Sequence, residues 1–446
     1  MSRAAPEAKV RCLLLAFLLA LLLALLLAGG HAGIAQEINP PGETPGEAPP
    51  SAEAPQEGNR PAVAPDEFDL TPGVDSFEER SVEKSLLEAI SRIEASGGAY
   101  AADLPEQMLS LGLALQQQDR HGEAMDVFKR GVHLARINNG LYCPDQVPLL
   151  RGEIQSAIAL GEYARVDELQ QYLYRVQLRG LAGGEERADA LMQQATWQFN
   201  AYQLGLGSQG PDRLVTMWDM YRQAWNDLSE VEQDTSPKLL PPLNGMLRTQ
   251  YLISEYRAEN EASGSSFGAS PVNPDVNRFY AYRAENYELG RSVILAIYQI
   301  QSGARGPGST EAIEALVALG DWAQWNSKRD DAIETYQLAL AELAGRDDAQ
   351  EEEHRLFGAP VPLPDMNGLR TLPPAVSADQ GNILVEFGVD SRGKVVDLAR
   401  LDSNEDIDSA ANRLLRLLRN TTFRPRLAAG QPVGTDKLVR AYEIKP

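Results

Sequence analysis

Met108-Leu109-Ser110-Leu111-Gly112-Leu113-Ala114-Leu115, followed by Ala124-Met125-Asp126-Val127-Phe128 and Gly131, returns with identical spacing near the far end of the chain. The second copy is Leu316-Val317-Ala318-Leu319-Gly320-Asp321-Trp322-Ala323, followed by Ala332-Ile333-Glu334-Thr335-Tyr336 and Ala339. Apolar residues recur at helical intervals in both halves of each copy, so each reads as two antiparallel helices. Gly112, Ala124, Gly320 and Ala332 are small enough to let the two backbones approach. Phe128 and Tyr336 then fill the groove between successive units, with Gly131 and Ala339 one turn on. Close to six periods of about 34 residues separate the copies, so the interval reads as further helix pairs of weaker pattern. Gly161-Glu162-Tyr163 fits a turn inside a second unit. Ala188 to Tyr202, Leu214 to Leu228, Met246 to Glu259 and Arg278 to Ile300 read as helices rich in Trp and Tyr.

This pattern resembles the tetratricopeptide repeat. The expected body is a mostly α helical-repeat solenoid over 76–344, with its clearest units at 105–138 and 313–346. Gly345 to Gln380 is Pro-rich and includes the acidic run Glu351-Glu352-Glu353, which predicts a solvated connector. Beyond it the apolar period shortens to two. Ile383, Val385, Phe387 and Val389 alternate with Leu384, Glu386 and Gly388 as in a half-buried strand. Asp390-Ser391-Arg392-Gly393 supplies a turn into a second strand, 394–401. From Asp408 the period is helical, with Ala410, Ala411, Leu414, Leu417 and Leu418 on one stripe and Arg413, Arg416 and Arg419 on another; Pro425 is expected to stop the helix. Gly430-Gln431-Pro432-Val433 then predicts a turn into a third strand marked by Leu438, Tyr442 and Ile444. The expectation for 381–446 is a small ββαβ α+β domain whose three-stranded sheet keeps open edges.

That last stretch resembles the C-terminal domain of TonB-type energy transducers. The resemblance is carried by Val385-Glu386-Phe387-Gly388-Val389-Asp390-Ser391-Arg392-Gly393-Lys394-Val395, by Asp408-Ser409-Ala410-Ala411, by Phe423-Arg424-Pro425 and by Gly430-Gln431-Pro432-Val433. It departs upstream, where Thr371-Leu372-Pro373-Pro374 replaces the Tyr-Pro pair of that family. In that family the domain pairs a strand with a short peptide of an outer-membrane transporter. The resemblance implies strand addition along Leu438, Val439, Arg440, Ala441 and Tyr442. Arg413, Arg416 and Arg419, near Arg424 and Arg426, would select acidic sequences.

At the other end, Arg3, Lys9 and Arg11 precede an unbroken apolar run from Leu13 to Ala28 and small-residue triplets at 30–32 and 33–35, the layout of a secretory signal peptide. Sixteen helical residues span about 24 Å, short of a bilayer's hydrocarbon core of about 30 Å, so cleavage near Gln36 is expected and an uncleaved anchor is the alternative. No cysteine follows the run, which disfavours a lipoprotein. The stretch 36–75, rich in Pro, Glu and Ala, lacks apolar periodicity and reads as a disordered linker with a reach on the order of 100 Å.

The formal charge is −22. Both the leader and 381–446 are slightly basic, so the middle carries more than that whole deficit; nucleic acid and anionic lipid are not expected partners. Cys143 is the only cysteine beyond the leader, which leaves no internal disulfide, and it reads as an apolar filler near a helix end. His121, His133 and His354 are scattered, so neither a metal nor another cofactor is expected. Gly205-Leu206-Gly207-Ser208-Gln209-Gly210 fits a dinucleotide-loop pattern but follows a helix instead of a strand, and reads as an inter-helix loop. The stripe Trp218, Tyr221 and Trp225 reads as core. No catalytic motif is present, so no enzyme is expected. The sequence thus predicts a periplasmic protein-interaction scaffold with protein partners in the cell envelope. The alternative is an inner-membrane-anchored transducer that contacts an outer-membrane transporter.

Overall fold

The structure is a computed structural model that describes residues 74–207, 210–256 and 274–445. The leader 1–35 and linker residues 36–73 lie outside the described residues. From Val74 the chain is a series of helices: α1 (Val74–Gly97), α2 (Leu104–Gln117), α3 (His121–Asn139), α4 (Gln146–Ala159), α5 (Tyr163–Gly180), α6 (Glu185–Gln203), α7 (Gly210–Ser229), α8 (Leu240–Glu255), α9 (Pro274–Ala284), α10 (Asn286–Arg305), α11 (Thr310–Trp325), α12 (Arg329–Leu343) and α13 (Ala349–Phe357).

Four helix pairs share one turn. The first helix of each ends on a residue in the left-handed region: Asp119 (φ 56), Gly161 (φ 73), Gly205 (φ 65) and Ser327 (φ 61). The following amide donates back five residues, Arg120 to Leu115 O, Glu162 to Ala157 O, Leu206 to Ala201 O and Lys328 to Ala323 O, at 2.8–3.0 Å. This double-bonded helix stop satisfies carbonyls the helix end would leave unpaired. The strong pairs α2/α3 and α11/α12 and the weak pairs α4/α5 and α6/α7 are therefore built alike. Gly205, from the glycine pattern that imitates a dinucleotide loop, is such a stop.

Between helices the repeating contact is a glycine under an aromatic ring. A Cβ at Gly112 would lie 2.3 Å from Phe128, and one at Gly152 would lie 2.5 Å from the same ring. Phe128 is thus clamped between α2 and α4, linking two units. Tyr336 over Gly320, Tyr221 over Gly245 and Trp322 over Gly290 repeat the device, at 2.3–2.4 Å. Trp218 and Tyr221 are both 4% exposed, inside a core shared by α6, α7, α8 and α10. Cys143 is buried between α3 and α4, its thiol 3.4 Å from Ala135 O.

Several expectations are corrected. The helix expected over 278–300 is interrupted at Glu285, where Asn286 turns inward and donates its side-chain amide to Gln250 O and Oε1, both at 2.8 Å. Residues 345–380 carry regular structure of their own, with Glu351 and Glu353 exposed as expected of the acidic run. Glu351 to Glu353 lie in α13, whose Leu356 and Phe357 are buried against the last pair. Two short strands follow, β1 (Val361–Pro362) and β2 (Ala375–Val376). The remaining elements are β3 (Ile383–Val389), β4 (Val395–Arg400), α14 (Asp408–Asn420), β5 (Phe423–Arg424), β6 (Arg426–Ala428), β7 (Gln431–Val433) and β8 (Thr435–Tyr442). The expected helix stops at Asn420, before Pro425, and 431–433 form a hairpin strand on β6 instead of a turn. The sheet has four antiparallel strands, order β2-β8-β3-β4, while β1 pairs with β5. Ala411, Leu414 and Leu418 of α14 pack on Ile383, Val385, Phe387 and Val389, but Leu417 points outward, 38% exposed.

Candidate partner-binding surfaces

Strand β8 was expected at an edge. Its register on β3 runs from Tyr442 opposite Ile383 to Leu438 opposite Phe387, and on its other side Ala441 and Tyr442 pair with Val376 and Ala375 of β2. Those two candidates are therefore buried and paired, at 4% and 1% exposure. A bulge at Lys437 (φ 53) interrupts the strand at the other end. Among the described residues, Leu438, Val439 and Arg440 are left as the regular stretch whose outer side pairs with no strand; the Arg440 guanidinium donates to Pro360 O at 3.3 Å, and Val439 is 52% exposed. The opposite edge, β4, carries its own bulge at Asp397 (φ 51). Bulges of this kind blunt an edge against indiscriminate pairing.

Arg413, Arg416 and Arg419 do share one exposed face of α14. Arg413 donates to Ser409 Oγ at 3.1 Å and Arg416 to Asn412 O at 3.3 Å, and none of the three forms an ion pair among the described residues. Arg424 does not join them. It is 4% exposed and reaches Asp321 Oδ2 at 3.5 Å and Asp365 Oδ2 at 3.4 Å. Asp321 sits on α11, in the motif that decided the fold, and also accepts the Tyr336 hydroxyl at 2.8 Å. Burial raises the Asp321 carboxyl above its ordinary value, against the pull of Arg424 and of the tyrosine bond. The same burial raises Tyr336 well above its own.

Around that pair the last repeat grips the small domain. Gln324 donates to Arg392 O at 2.7 Å and Phe423 O at 3.2 Å, Arg329 to Ser391 O at 3.2 Å and Gln337 to Gly430 O at 3.1 Å. Leu427 completes the apolar cluster of Leu343, Leu356 and Phe357. Gly393 is required twice. Its φ of +74 favours glycine, and a Cβ there would meet Phe423 O at 2.0 Å. The repeat-motif residues thus have mixed duties: Leu111, Gly112, Ala124, Phe128, Gly131, Ala332, Tyr336 and Ala339 are buried packing positions, Leu319 is partly buried, and Gly320 receives the Tyr336 ring.

Sequence reasoning missed the dock because Asp321, Gln324 and Arg424 carry no local pattern. Only the substitution of Asp and Gln on an otherwise apolar helix hinted at it. Among the described residues no group of three His, Cys, Asp or Glu is placed to hold a metal ion, and no helix is long and apolar enough to cross a membrane.

No protein-family model matches the chain, and no curated protein matches it. Among solved structures, a candidate kinesin light chain of Podosopora anserina with nearly identical TPR-like repeats is similar at 12% identity and a TM-score of 0.34, over 54% of this chain and 94% of that one. BtubC (BKLC) from P. vanneervenii is similar at 12% identity and a TM-score of 0.34, over 61% and 92%. The repeat character of this chain rests on the shared turns and the glycine–aromatic crossings described above.

Proposed function

We propose that this protein is an exported cell-envelope interaction scaffold. Its helical repeats take a protein partner, and its C-terminal module binds or docks a second segment by strand addition. The observation that carries the reading is the short open side of β8 at Leu438–Arg440, in line with the two-residue strand β2. An added strand would continue the line of β2 and receive main-chain hydrogen bonds, which supply affinity without fixing sequence. The leader supports export, and the acidic middle of the chain supports protein partners over nucleic acid.

The dock favours the scaffold over the transducer alternative. A transducing tip must travel on its tether, whereas here Arg424, Gln324 and Leu427 tie the module to the last repeat. The test is capture of envelope proteins by the full chain and by Val439→Pro, with circular dichroism confirming an intact fold. Loss of captured partners in the variant supports strand addition; retrieval of the same set by both rejects it.

A further inference from the structure

Three arginines converge where the first two repeats meet, in a chain whose charge is strongly negative. Arg136 lies in the last turn of α3, and Arg175 and Arg179 lie on the last half of α5. The Arg136 and Arg175 guanidinium groups stand 5.9 and 5.8 Å from the centre of the Tyr172 ring, and that of Arg179 stands 4.5 Å from the Tyr142 ring. Tyr172 is fixed in turn, its hydroxyl donating to Gln146 Oε1 at 2.6 Å. All three arginines are exposed, and none forms an ion pair among the described residues. Beside them Ile137 and Leu141 are exposed by 51% and 48%.

The helix dipole explains why Arg136 and Arg179 suit their helix ends. It does not explain Arg175, the stacking on two tyrosines, or the two uncovered aliphatic side chains. Past Pro144 the surface opens into a cleft of about 330 Å³ whose apolar wall is Pro144, Val147, Val176, Leu181 and Ala190; Arg151, Glu186 and Asp189 also line it, so it suits the apolar anchor of a partner and not its carboxylates. Gly180 keeps the cleft close to the patch, since a Cβ there would meet Tyr142 O at 3.3 Å and Pro144 at 3.8 Å. Pre-stacked arginines lose little freedom on pairing with carboxylates, and Arg and Tyr beside an apolar pocket have the composition of an interface hot spot.

We propose that this patch is the partner-binding surface of the repeats, and that its occupant is an acidic segment of another protein that carries an apolar anchor. Charge complementarity carries the choice: on a protein of charge −22, three guanidinium groups have no ion-pair partner among the described residues, where acidic side chains are abundant. The carboxylates sit on Arg136, Arg175 and Arg179, and the anchor enters the cleft. This deepens the scaffold reading for the repeats and does not depend on β8.

The probe is a short fluorescein-labelled peptide of repeated Glu-Glu-Phe, titrated by anisotropy against the full-length protein, with the Lys-Lys-Phe peptide as control. Saturable binding of the acidic peptide alone is expected, weakening as salt rises. Arg136→Gln/Arg175→Gln/Arg179→Gln should weaken it by about tenfold or more with circular dichroism unchanged, and the matching lysine variant should recover part of the loss. The proposal is overturned if the parent shows no saturable binding, or if the glutamine variant binds like the parent. It is also overturned if Arg413→Gln/Arg416→Gln/Arg419→Gln abolishes binding instead. A chain lacking 1–73 that binds markedly more tightly would give the patch to this protein's own acidic segment and equally overturn it. Val439→Pro should leave this titration unchanged, so failure here is separable from failure of strand addition.

Discussion

Arg424 and Asp321 are the residues on which the relation between repeats and tip depends, and each alone is a liability. Arg424→Met would leave Asp321 buried without its cation and should destabilise by about 3–5 kcal/mol, whereas Arg424→Met with Asp321→Asn should recover most of that loss in urea unfolding. Acid separates this pair from a second carboxylate. Asp321 has a folded value above its unfolded one, so its contribution is fully present below the unfolded carboxylate range and is lost as pH rises through the raised value. Asp402 is the reverse. Bonds from the Arg400 guanidinium, and from the Leu384 and Asn404 amides, hold it down to about 2. Its contribution is present above the unfolded value and is lost as pH falls toward about 2. Asp402→Asn should therefore lower the urea midpoint at neutral pH and flatten its fall between about pH 4 and 2. An unchanged slope in the variant would remove Asp402 from the account of acid sensitivity.

At the level of elements, a glycine under a ring is the device that repeats. Gly112→Ala forces a methyl into Phe128, and Gly320→Ala forces one into Tyr336. Each should cost about 1–3 kcal/mol, as should Ala332→Leu at the buried crossing of α11 and α12, all read by thermal or denaturant melting. Variants that melt like the parent would place the repeat register elsewhere. The two strong units were legible because Gly112, Phe128, Gly320 and Tyr336 repeat in a fixed spacing. The intermediate pairs were legible only as separate helices and as turns at Gly161 and Gly205; that they are built like the strong units was not, because the shared feature is a backbone conformation: Asp119, Gly161, Gly205 and Ser327 adopt one left-handed turn with unrelated side chains. The ββαβ order followed from the change of period at Ile383 and Asp408. Strand β2 did not, since two residues after Pro374 present no periodicity, and its pairing with Tyr442 turned an expected edge into a mostly inner strand. Arg424 was grouped with the exposed arginines because sequence spacing is blind to the helix end at Asn420 that reverses its direction.

For the whole molecule, the last repeat holds the C-terminal module in place, and the proposed export is open to direct test. Intact-mass analysis of the protein recovered from cells should find a mature chain beginning between Ala32 and Gln36; retention of residues 1–28 in most molecules would favour the anchored alternative. The central claim is that this tip meets an envelope partner through β8. A photoreactive amino acid placed at Val439 of the full-length chain tests it most directly, irradiated in intact cells and followed by fractionation. The account predicts a discrete crosslinked species in the envelope fraction, and, with the photoreactive amino acid moved to Arg440, its disappearance when Val439→Pro removes the outward N–H of β8. Recovery of the chain in the cytoplasm, or an uncrosslinked chain in the envelope despite efficient photoactivation, would contradict it.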